Sequence, residues 1–461
     1  MKFFNKLAAF CLVAVLSVTM TSCEDYIDVN IDPNNPLDAS LDLLTTGAEV
    51  NFAYVLGGDF GRISTIWMQQ HGGAERQHTA YDVYRVTETD TNNAWNTMYA
   101  SVIEELLIII SKAEENDSPH YSGVAKIMLA NVMGVMVDAF GDIPFSEAGQ
   151  GAENLTPAYD DDAAIYNDIM TLLSEGVAEI NAAESIFAPG SEDLIYGGNL
   201  SSWEAYAYTL MARYNLHLSE VNGNSAYQAA LDAIDNGAIA SNGGNAFVPF
   251  GAAANEANPW QQFESERGDV VVGAFIVDLM NANDDPRRAQ YFTLNGDGVY
   301  AGMVAGVPDN GPGVSRFGSY YASANSPIPL ATYAETKFIE AEAALMTGDA
   351  SRAAAAYNEA VAASLAQVGV SDQDFLDNVA DEDDQSISLE TIMNQKYVAM
   401  YTQFEAYNDW RRTGLPNLQP AQGETQIATR FPLPRNERLY NSENYATSGG
   451  LDVFGTVFWD Q

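Results

Sequence analysis

Aromatic and polar side chains that suit sugar recognition concentrate in two segments of the sequence. One runs from Trp67 to Trp95, the other from Trp260 to Tyr321, and both lie outside the strong helix patterns. Aromatic faces pack on the C–H groups of a sugar, and amides, carboxylates or arginines bind its hydroxyls. The same aromatics could instead be core or inter-loop packing, the commoner fate of such residues. The predicted ligand contacts are Trp67, Arg76, Tyr81, Tyr84, Trp95, Trp260, Phe263, Phe317, Tyr320 and Tyr321.

Charged clusters elsewhere admit both a binding and a structural interpretation. Asp409, Arg411 and Arg412 could clamp a ligand, but a charge network that holds the last helix against its neighbours is the favoured interpretation. The acidic run 381–384 could hold Ca²⁺, yet it lacks the glycine and closing glutamate of a calcium-binding loop, so we expect a solvated loop. We expect the Asn-Gly-Asp-Gly run at 295–298 to form a tight turn, and an ion site is the less favoured interpretation.

The sequence carries no signature of catalysis or of a resident metal. Its two cysteines, Cys11 and Cys23, leave the chain from Glu24 onward without a thiol, and histidines number only four. It contains no HExxH, GxSxG or Walker motif. We therefore predict no catalytic residue, no metal and no cofactor. A glycoside hydrolase stays open as an alternative, because among 63 acidic residues a pair of suitably spaced carboxylates proves nothing.

The charge balance excludes whole classes of partner. The chain of 461 residues has 20 Lys and Arg against 63 Asp and Glu, a formal net charge of -43. A field of that sign repels phosphate backbones and anionic lipid surfaces, so we predict no nucleic-acid partner and no membrane binding through a basic surface. The hydrophobic share of 47% is enough to build a sizeable core.

Residues 1–22 have the features of a secretion signal. Lys2 and Lys6 precede the twelve-residue apolar run Leu7–Val18, and small residues stand just before Cys23. A membrane-spanning helix is the alternative, but such a run reaches only about 18 Å as a helix. The hydrocarbon core of a bilayer is roughly 30 Å thick. We therefore predict a cleaved signal peptide.

The cleavage site resembles a bacterial lipoprotein box in a loose form, Met20-Thr21-Ser22-Cys23. The resemblance implies that Cys23 is the lipid attachment site and the first residue of the mature protein, 23–461. An ordinary secretory signal with a chance cysteine is the alternative. Glu24 directly after the cysteine, followed by another acid, resembles a surface-export signal of lipoproteins in Bacteroidetes.

Helical periodicity dominates the rest of the chain, and strand signals are few and short. A stretch rich in Gly, Pro, Asn and aromatics, about 242–330, separates the helices into two groups. The predicted fold class is therefore all-α with one long, loop-rich, ligand-facing region. The predicted helices are 41–56, 98–115, 124–140, 163–183, 202–220, 225–236, 271–281, 333–347, 351–367 and 389–412.

Two helix pairs, 202–236 and 333–367, have the length of tetratricopeptide units. In the second pair, Gly348-Asp349, Ala353, Tyr357 and Ala360 match the second half of such a unit in spacing, whereas its first half matches poorly. Ordinary antiparallel packing of helices is the alternative. The spacing favours tetratricopeptide-like hairpins.

Four blocks in a shared order resemble the SusD/RagB family of surface lipoproteins. Residues 138–148 read DAFGDIPFSEA, and residues 333–349 carry the AEA…GD hairpin of that family. Residues 404–412 resemble its late helix, although Tyr407 and Trp410 replace expected residues there. The run Arg430-Phe431-Pro432-Leu433-Pro434 resembles its C-terminal block.

This resemblance implies a fold, a location and a function. It implies tetratricopeptide-like hairpins in a right-handed superhelix, within a lipoprotein on the outer face of the outer membrane. It also implies a protein that captures glycans, or oligopeptides, for a SusC-like TonB-dependent β-barrel transporter and has no catalytic activity. No motif indicates which glycan is bound.

Overall fold

The computed structural model describes residues 39–448, 450 and 452–460. The predicted signal peptide 1–22, the predicted lipid attachment at Cys23 and the Asp-Pro-Asn-Asn-Pro run at 32–36 lie outside the described residues. Helices make up most of the described chain, and the strands in it are three or four residues long. The prediction of an all-α fold is confirmed.

The helices lie along the chain in two groups separated by a region of shorter elements. They are α1 (Leu41–Val55), α2 (Gly61–Trp67), α3 (Asn92–Met98), α4 (Glu104–Glu115), α5 (Pro119–Phe140), α6 (Asp162–Ile180), α7 (Leu200–His217), α8 (Asn224–Asp235), α9 (Pro259–Glu266), α10 (Ala274–Ala282), α11 (Tyr333–Thr347), α12 (Ala350–Gln367), α13 (Gln373–Val379), α14 (Leu389–Ala399), α15 (Glu405–Thr413) and α16 (Arg435–Tyr440). Single α-helical turns are His78–Tyr81, Ser219–Asn222, Arg288–Tyr291 and Ser442–Tyr445. Two π-helical turns, Leu56–Phe60 and Tyr99–Ile103, join α1 to α2 and α3 to α4, and 3₁₀ turns lie at Gly151–Glu153 and Asn242–Gly244.

Four short strands form two antiparallel pairs. Strand β1 (His71–Gly73) pairs with β3 (Val270–Val272), and β2 (Ala246–Val248) pairs with β4 (Ile328–Ala331). Both pairs join segments that are far apart in sequence. The first pair ties the region 242–330 to the segment that follows α2, and the second pair joins the two ends of that region.

Capping side chains define the hairpin of α11 and α12. Thr332 and Glu335 form a capping box at the start of α11, each bonding the other's main-chain N–H. Gly348 ends α11 in the left-handed conformation, which glycine adopts without a steric penalty. Asp349 then accepts the N–H of Arg352 and starts α12. The Gly348-Asp349 pair thus forms the turn that its spacing predicted.

Helical hairpins stack side by side through the molecule. The pairs α5 with α6, α7 with α8 and α11 with α12 each pack together, and α8 packs on α11. At the crossing of α5 and α6, the glycines Gly123 and Gly176 face each other, and a Cβ added to Gly123 would lie 2.7 Å from the Gly176 carbonyl oxygen. Close contact of this kind requires glycine at both positions.

Helix α5 is the central core helix. By length and composition it could cross a membrane, but its most apolar window is buried inside the described fold. Its apolar side chains therefore pack against neighbouring helices on all sides, as expected for a helix with so few polar members.

The last predicted helix, 389–412, is two helices in the structure, because Gln70 inserts its side chain at the break between them. The Gln70 amide donates to the carbonyls of Tyr397 and Met400 at 3.2 and 3.3 Å, and its oxygen accepts the N–H of Thr402 at 3.0 Å. Thr402 has a φ of 68°, which an α-helix cannot contain. The prediction of one continuous helix was therefore wrong.

Two further predicted helices differ in their bounds. The helix predicted at 98–115 contains the π-helical turn Tyr99–Ile103 and begins earlier, at α3. The helix predicted at 271–281 begins only at Ala274, because the three valines before it form β3. The region 242–330 also holds more regular structure than its composition predicts.

Candidate ligand-binding site

The two aromatic segments of the sequence form one continuous layer, here called the loop layer (68–91 with 242–330). His71 in β1 lies opposite Val272 in β3. An ion pair joins Arg76 to the buried carboxylate of Asp269. The rings of His78 and Phe263 meet edge to face, with centroids 5.1 Å apart. Residues almost two hundred positions apart thus share one surface.

Seven of the ten predicted ligand contacts are buried in the interior, each no more than 7% exposed. A side chain buried to that degree has no open ring face on which a sugar could stack, so we revise the prediction for these seven and assign them to packing. They are Trp67, Tyr81, Tyr84, Trp95, Trp260, Phe317 and Tyr321.

Hydrogen bonds hold the polar ends of the first segment's rings in place. The Trp67 indole N–H donates to the carbonyl of Tyr81 at 3.1 Å, and the Tyr81 hydroxyl donates to Asp90 at 2.7 Å. The Tyr84 hydroxyl accepts the N–H of Ala421 at 2.9 Å. Burial raises the pKa of Tyr84 to about 12, so this hydroxyl stays neutral.

His71 is the centre of the packing in the second segment. Its two ring nitrogens lie 2.7 Å from the Thr65 hydroxyl and 2.8 Å from the Tyr401 hydroxyl. The rings of Trp260 and Phe317 lie 5.0 and 4.6 Å from it, centroid to centroid. Burial lowers the pKa of His71 to about 3, so the imidazole is neutral and structural.

Arg76, Phe263 and Tyr320 keep part of their side chains at the surface. The Arg76 side chain is 53% exposed. Phe263 and Tyr320 are half-buried, and burial raises the pKa of Tyr320 to about 12. Phe263 lines an open cleft, and for it the prediction of ligand contact stands as a proposal.

This cleft, here called the α9 cleft, has a volume of about 400 Å³ and lies between the end of α1, the face of α3 and helix α9. That volume is near the lower end of the ~300–1,000 Å³ typical of small-molecule sites. Its lining residues are Asn51, Tyr54, Val55, Gly58, Asp59, Arg62, Asn93, Ala94, Thr97, Pro259, Gln262, Phe263 and Glu266.

Helix α9 is held close to α2 by small residues and by its cap. The Asn258 side chain accepts the N–H groups of Trp260 and Gln261 and donates to the carbonyl of Ser326 at 2.8 Å. A Cβ added to Gly61 would lie 3.1 Å from the Trp260 ring. The buried Trp260 therefore anchors the helix, and Gln262 and Phe263 in the same turn of α9 line the cleft.

The cleft presents an aromatic ring among amide, carboxylate and guanidinium groups. Tyr54 is 37% exposed, and its hydroxyl donates to the Gln262 side chain. Arg62 donates to Asp59 at 2.6 Å and lies over the Phe263 ring, 4.6 Å from the centroid. These polar groups are held in place by their hydrogen bonds to each other. Aromatic rings beside such groups suit a neutral, hydroxyl-rich ligand.

Tyr54, Asp59 and Arg62 were missed by the sequence analysis, which assigned 41–56 only to a helix. Tyr54 lies off the stripe of α1 that buries Leu44, Ala48 and Phe52. An aromatic residue on the polar side of an amphipathic helix was the available signal.

The charge cluster of α15 is structural, as favoured from the sequence. Arg412 forms a buried, two-pronged ion pair with Glu342 of α11, and Asp409 accepts from Lys396 at 2.7 Å. Arg411 is buried over the Trp459 ring at 4.5 Å. These contacts join α15 to α11, α14 and the C-terminal segment.

In the described part of the chain, one cluster of three carboxylates is compact enough to hold a metal ion. It consists of Asp142, Asp161 and Asp162. Main-chain N–H groups already engage all three. Asp142 accepts from Asp162 at 3.0 Å, Asp161 from Ala164 at 3.1 Å, and Asp162 from Phe458 at 3.0 Å. These bonds give the group a role in joining loops.

The two loops considered as ion sites from the sequence are held by their own side chains. The Asn295 oxygen accepts the N–H groups of Asp297 and Val299 at 3.0 and 3.1 Å, which is the expected tight turn. Asp383 accepts the N–H of Ser386 at 3.0 Å. In both loops the side-chain oxygens stabilise the turn.

Tetratricopeptide-like hairpins that carry a loop layer with an open polar and aromatic cleft define a helical ligand-binding protein. A family described as SusD-like, starch-binding and associating with outer membrane matches residues 33–434. The chain belongs to this family, and the resemblance to SusD/RagB proteins is confirmed.

Solved structures share this fold. A chitin-binding protein is similar with a TM-score of 0.79 and 24% identity, over 92% of this chain and 100% of that chain. A SusD/RagB family protein from Bacteroides thetaiotaomicron has a TM-score of 0.77 and 22% identity, over 92% and 99%. A chitin-binding SusD homolog from Flavobacterium johnsoniae has a TM-score of 0.76 and 24% identity, over 90% and 98%. The comparison with curated protein sequences gave no match.

Proposed function

We propose that this protein is a cell-surface lipoprotein that captures glycans in the α9 cleft and delivers them to a SusC-like TonB-dependent transporter. The observation that carries glycan binding is the cleft itself, in which the exposed ring of Tyr54 lies beside amides and the Asp59–Arg62 pair. The family description and the chitin-binding relatives support the same ligand class. Oligopeptides are the alternative ligand.

Binding at the cleft is tested by calorimetry with maltohexaose and chitohexaose. We expect Tyr54→Ala to weaken the better ligand about tenfold, or ~1.4 kcal/mol, because stacking and the link to Gln262 are both lost. Tyr440→Ala is the matched control, because Tyr440 is 73% exposed and lies outside the cleft. Unchanged affinity in the Tyr54 variant would show that the α9 cleft is not the binding site. Binding of peptides but of no glycan would refute the proposed ligand class.

The lipid anchor and the surface location are tested in cells. We expect labelled palmitate to enter the protein and Cys23→Ala to abolish the label, because the acyl chains need that thiol. Antibody should reach the anchored protein on intact cells. An unlabelled protein, or one that antibody reaches only after lysis, would contradict this part of the proposal.

Delivery to a transporter is tested by crosslinking on intact cells. A β-barrel receptor recovered in stoichiometric amount with the protein is the expected result. Recovery of the protein alone, with ligand binding intact, would leave a glycan-binding lipoprotein without the delivery role.

A lipid-anchored glycoside hydrolase is the competing function. Such an enzyme needs an acid and a second carboxylate placed on either side of a glycosidic bond. Purified protein incubated with maltohexaose and chitohexaose should release no new reducing ends over hours. Sustained release that is abolished when an acid of the cleft is neutralised, in Asp59→Asn, would establish the hydrolase instead.

A further inference from the structure

Helix α3 separates the α9 cleft from a second cleft, here called the α3 cleft. Asn93 and Thr97 on one face of α3 line the α9 cleft, whereas Trp95 and Asn96 line the second one. The π-helical turn after α3 adds Tyr99 and Ala100 to the lining of this second cleft. One short helix thus supplies side chains to two open cavities.

The α3 cleft has a volume of about 300 Å³, room for one or two sugar units. Trp95 and Tyr99 form one wall, with ring centroids 4.8 Å apart and planes tilted by 38°. Pro144 and Pro157 add apolar surface. The opposite wall comes from the loop 147–154, so the cleft is a narrow slot between rings and a polar loop.

Several polar groups of this cleft have hydrogen-bonding capacity left over. Among the described residues, neither the Trp95 indole N–H nor the Gln150 amide has a hydrogen-bond partner, although Trp95 is only 4% exposed. Asn96 is exposed and makes a single side-chain bond, at 3.3 Å to Asn436. By contrast, Glu437 is engaged, because it accepts from the Tyr159 hydroxyl at 2.9 Å. The free groups are donors and amides, which bind hydroxyls and acetamido groups.

The charges around the cleft restrict the ligand further. Glu147 and Glu437 are its charged lining residues, and the described lining contains no lysine, arginine or histidine. A phosphate, sulfate or uronate would meet only negative charge there. The cleft therefore suits a neutral sugar.

We propose that the α3 cleft is a second carbohydrate-binding site, which takes one or two neutral sugar units against the half-buried ring of Tyr99 and the free amides of Asn96 and Gln150. The choice of sugar as ligand rests on the proposed function, but the site is separate from the α9 cleft. Occupation of both faces of α3 would hold a glycan at two points.

Equilibrium dialysis with radiolabelled diacetylchitobiose and maltotriose tests the proposal on the full-length protein. The parent protein should take up two equivalents of the better ligand at saturation. Ala100→Gln should take up one, because Ala100 is exposed in the lining and the longer side chain fills the slot without changing the charge. Asn96→Ala should keep both sites but weaken one severalfold.

Ala355→Gln makes the same change on an exposed face of α12, outside both clefts, and should retain two equivalents. Tyr54→Ala combined with Ala100→Gln should take up one equivalent, with an affinity about tenfold weaker than that of Ala100→Gln alone. Saturation of the parent at one equivalent, or an Ala100→Gln variant that equals the parent, would overturn the second site and leave the first intact. No saturable uptake of either sugar by the parent would refute the proposed glycan function and the second site together.

Discussion

Glu49 is a buried acid whose charge state depends on the fold. It is fully buried in α1, accepts the N–H of Leu194 at 2.7 Å and lies beside Asp193. Burial first, and then the charge of Asp193, raise the pKa of Glu49 to about 10. The folded protein therefore holds this carboxyl in its neutral form at neutral pH, whereas the unfolded chain ionises it.

The raised pKa of Glu49 predicts a loss of stability with rising pH. Because the folded state binds a proton that the unfolded state releases, the contribution is full below the unfolded pKa near 4.5 and falls as pH rises towards 10. Glu49→Gln removes the titrating group and keeps an oxygen that can accept the N–H of Leu194. We expect the free energy of unfolding of the variant, relative to that of the parent, to increase by up to ~1.4 kcal/mol per pH unit between about pH 5 and about pH 9.

Urea denaturation at several pH values measures this difference in unfolding free energy. Glu115→Gln, at an exposed carboxylate at the end of α4, is the matched control and should follow the parent. A Glu49 variant whose advantage does not change with pH would show that the carboxyl is ionised in the fold.

Arg213 and Glu335 form a buried ion pair between α7 and α11. Two guanidinium nitrogens donate to the two carboxylate oxygens at 2.6 and 2.8 Å, and one also donates to the Leu330 carbonyl at 2.7 Å. Arg213→Met leaves the Glu335 charge buried without its cationic partner, so we expect a loss of ~3–5 kcal/mol. The double variant with Glu335→Gln should lose less, and a double-mutant cycle in urea measures the coupling.

At the α5–α6 crossing, the helices lie so close together that a single added carbon atom would have to push them apart. A Cβ on Gly123 would meet the Gly176 carbonyl oxygen and the Ile180 side chain, both at 2.7 Å. In an open helix, replacing glycine by alanine is stabilising by ~1 kcal/mol. We expect Gly123→Ala instead to destabilise by ~1–3 kcal/mol, because the helices must move apart.

Gly47→Ala in α1 provides the contrast for this prediction. An added Cβ there meets only the end of the Glu105 side chain, which can rotate away. Thermal unfolding should therefore show a neutral or raised melting temperature for Gly47→Ala and a lowered one for Gly123→Ala. Equal effects of the two substitutions would contradict the close crossing.

The helical elements were predictable because their signals are local. Capping residues such as Thr332 and Asp349, and the left-handed glycine between α11 and α12, act within one turn of the chain. The break after α14 was not predictable, because the cause is Gln70, far away in sequence. The same limit applies to the pairing of β1 with β3.

The sequence indicated which residue types could bind a sugar, but it did not show which of those side chains are buried. Trp260 and Phe317 have the chemistry of sugar-binding residues, but both lie against His71 in the interior. Tyr54, which does line a cleft, is hidden in an ordinary helix pattern. Residue type marked the right part of the molecule, and the fold determined which rings reach the surface.

At the scale of the whole molecule, the net charge of -43 predicts discrimination among glycans. Its field opposes the approach of sulfated or uronic-acid chains and leaves neutral chains unaffected. At low ionic strength, where the Debye length is ~30 Å, we expect sulfated chito-oligosaccharide to bind at least about tenfold more weakly than its neutral counterpart. Raising the salt concentration should narrow the gap, and calorimetry at two salt concentrations measures it. A preference for the sulfated chain at low salt would contradict this prediction.

The three hydrogen bonds of Gln70 determine when the protein can finish folding. The amide is synthesised early, yet its partners lie between Tyr397 and Thr402, up to 332 residues further on. Contacts across such a separation form late and slowly. The Gln70 side chain therefore stays without these three partners until the ribosome has supplied most of the chain.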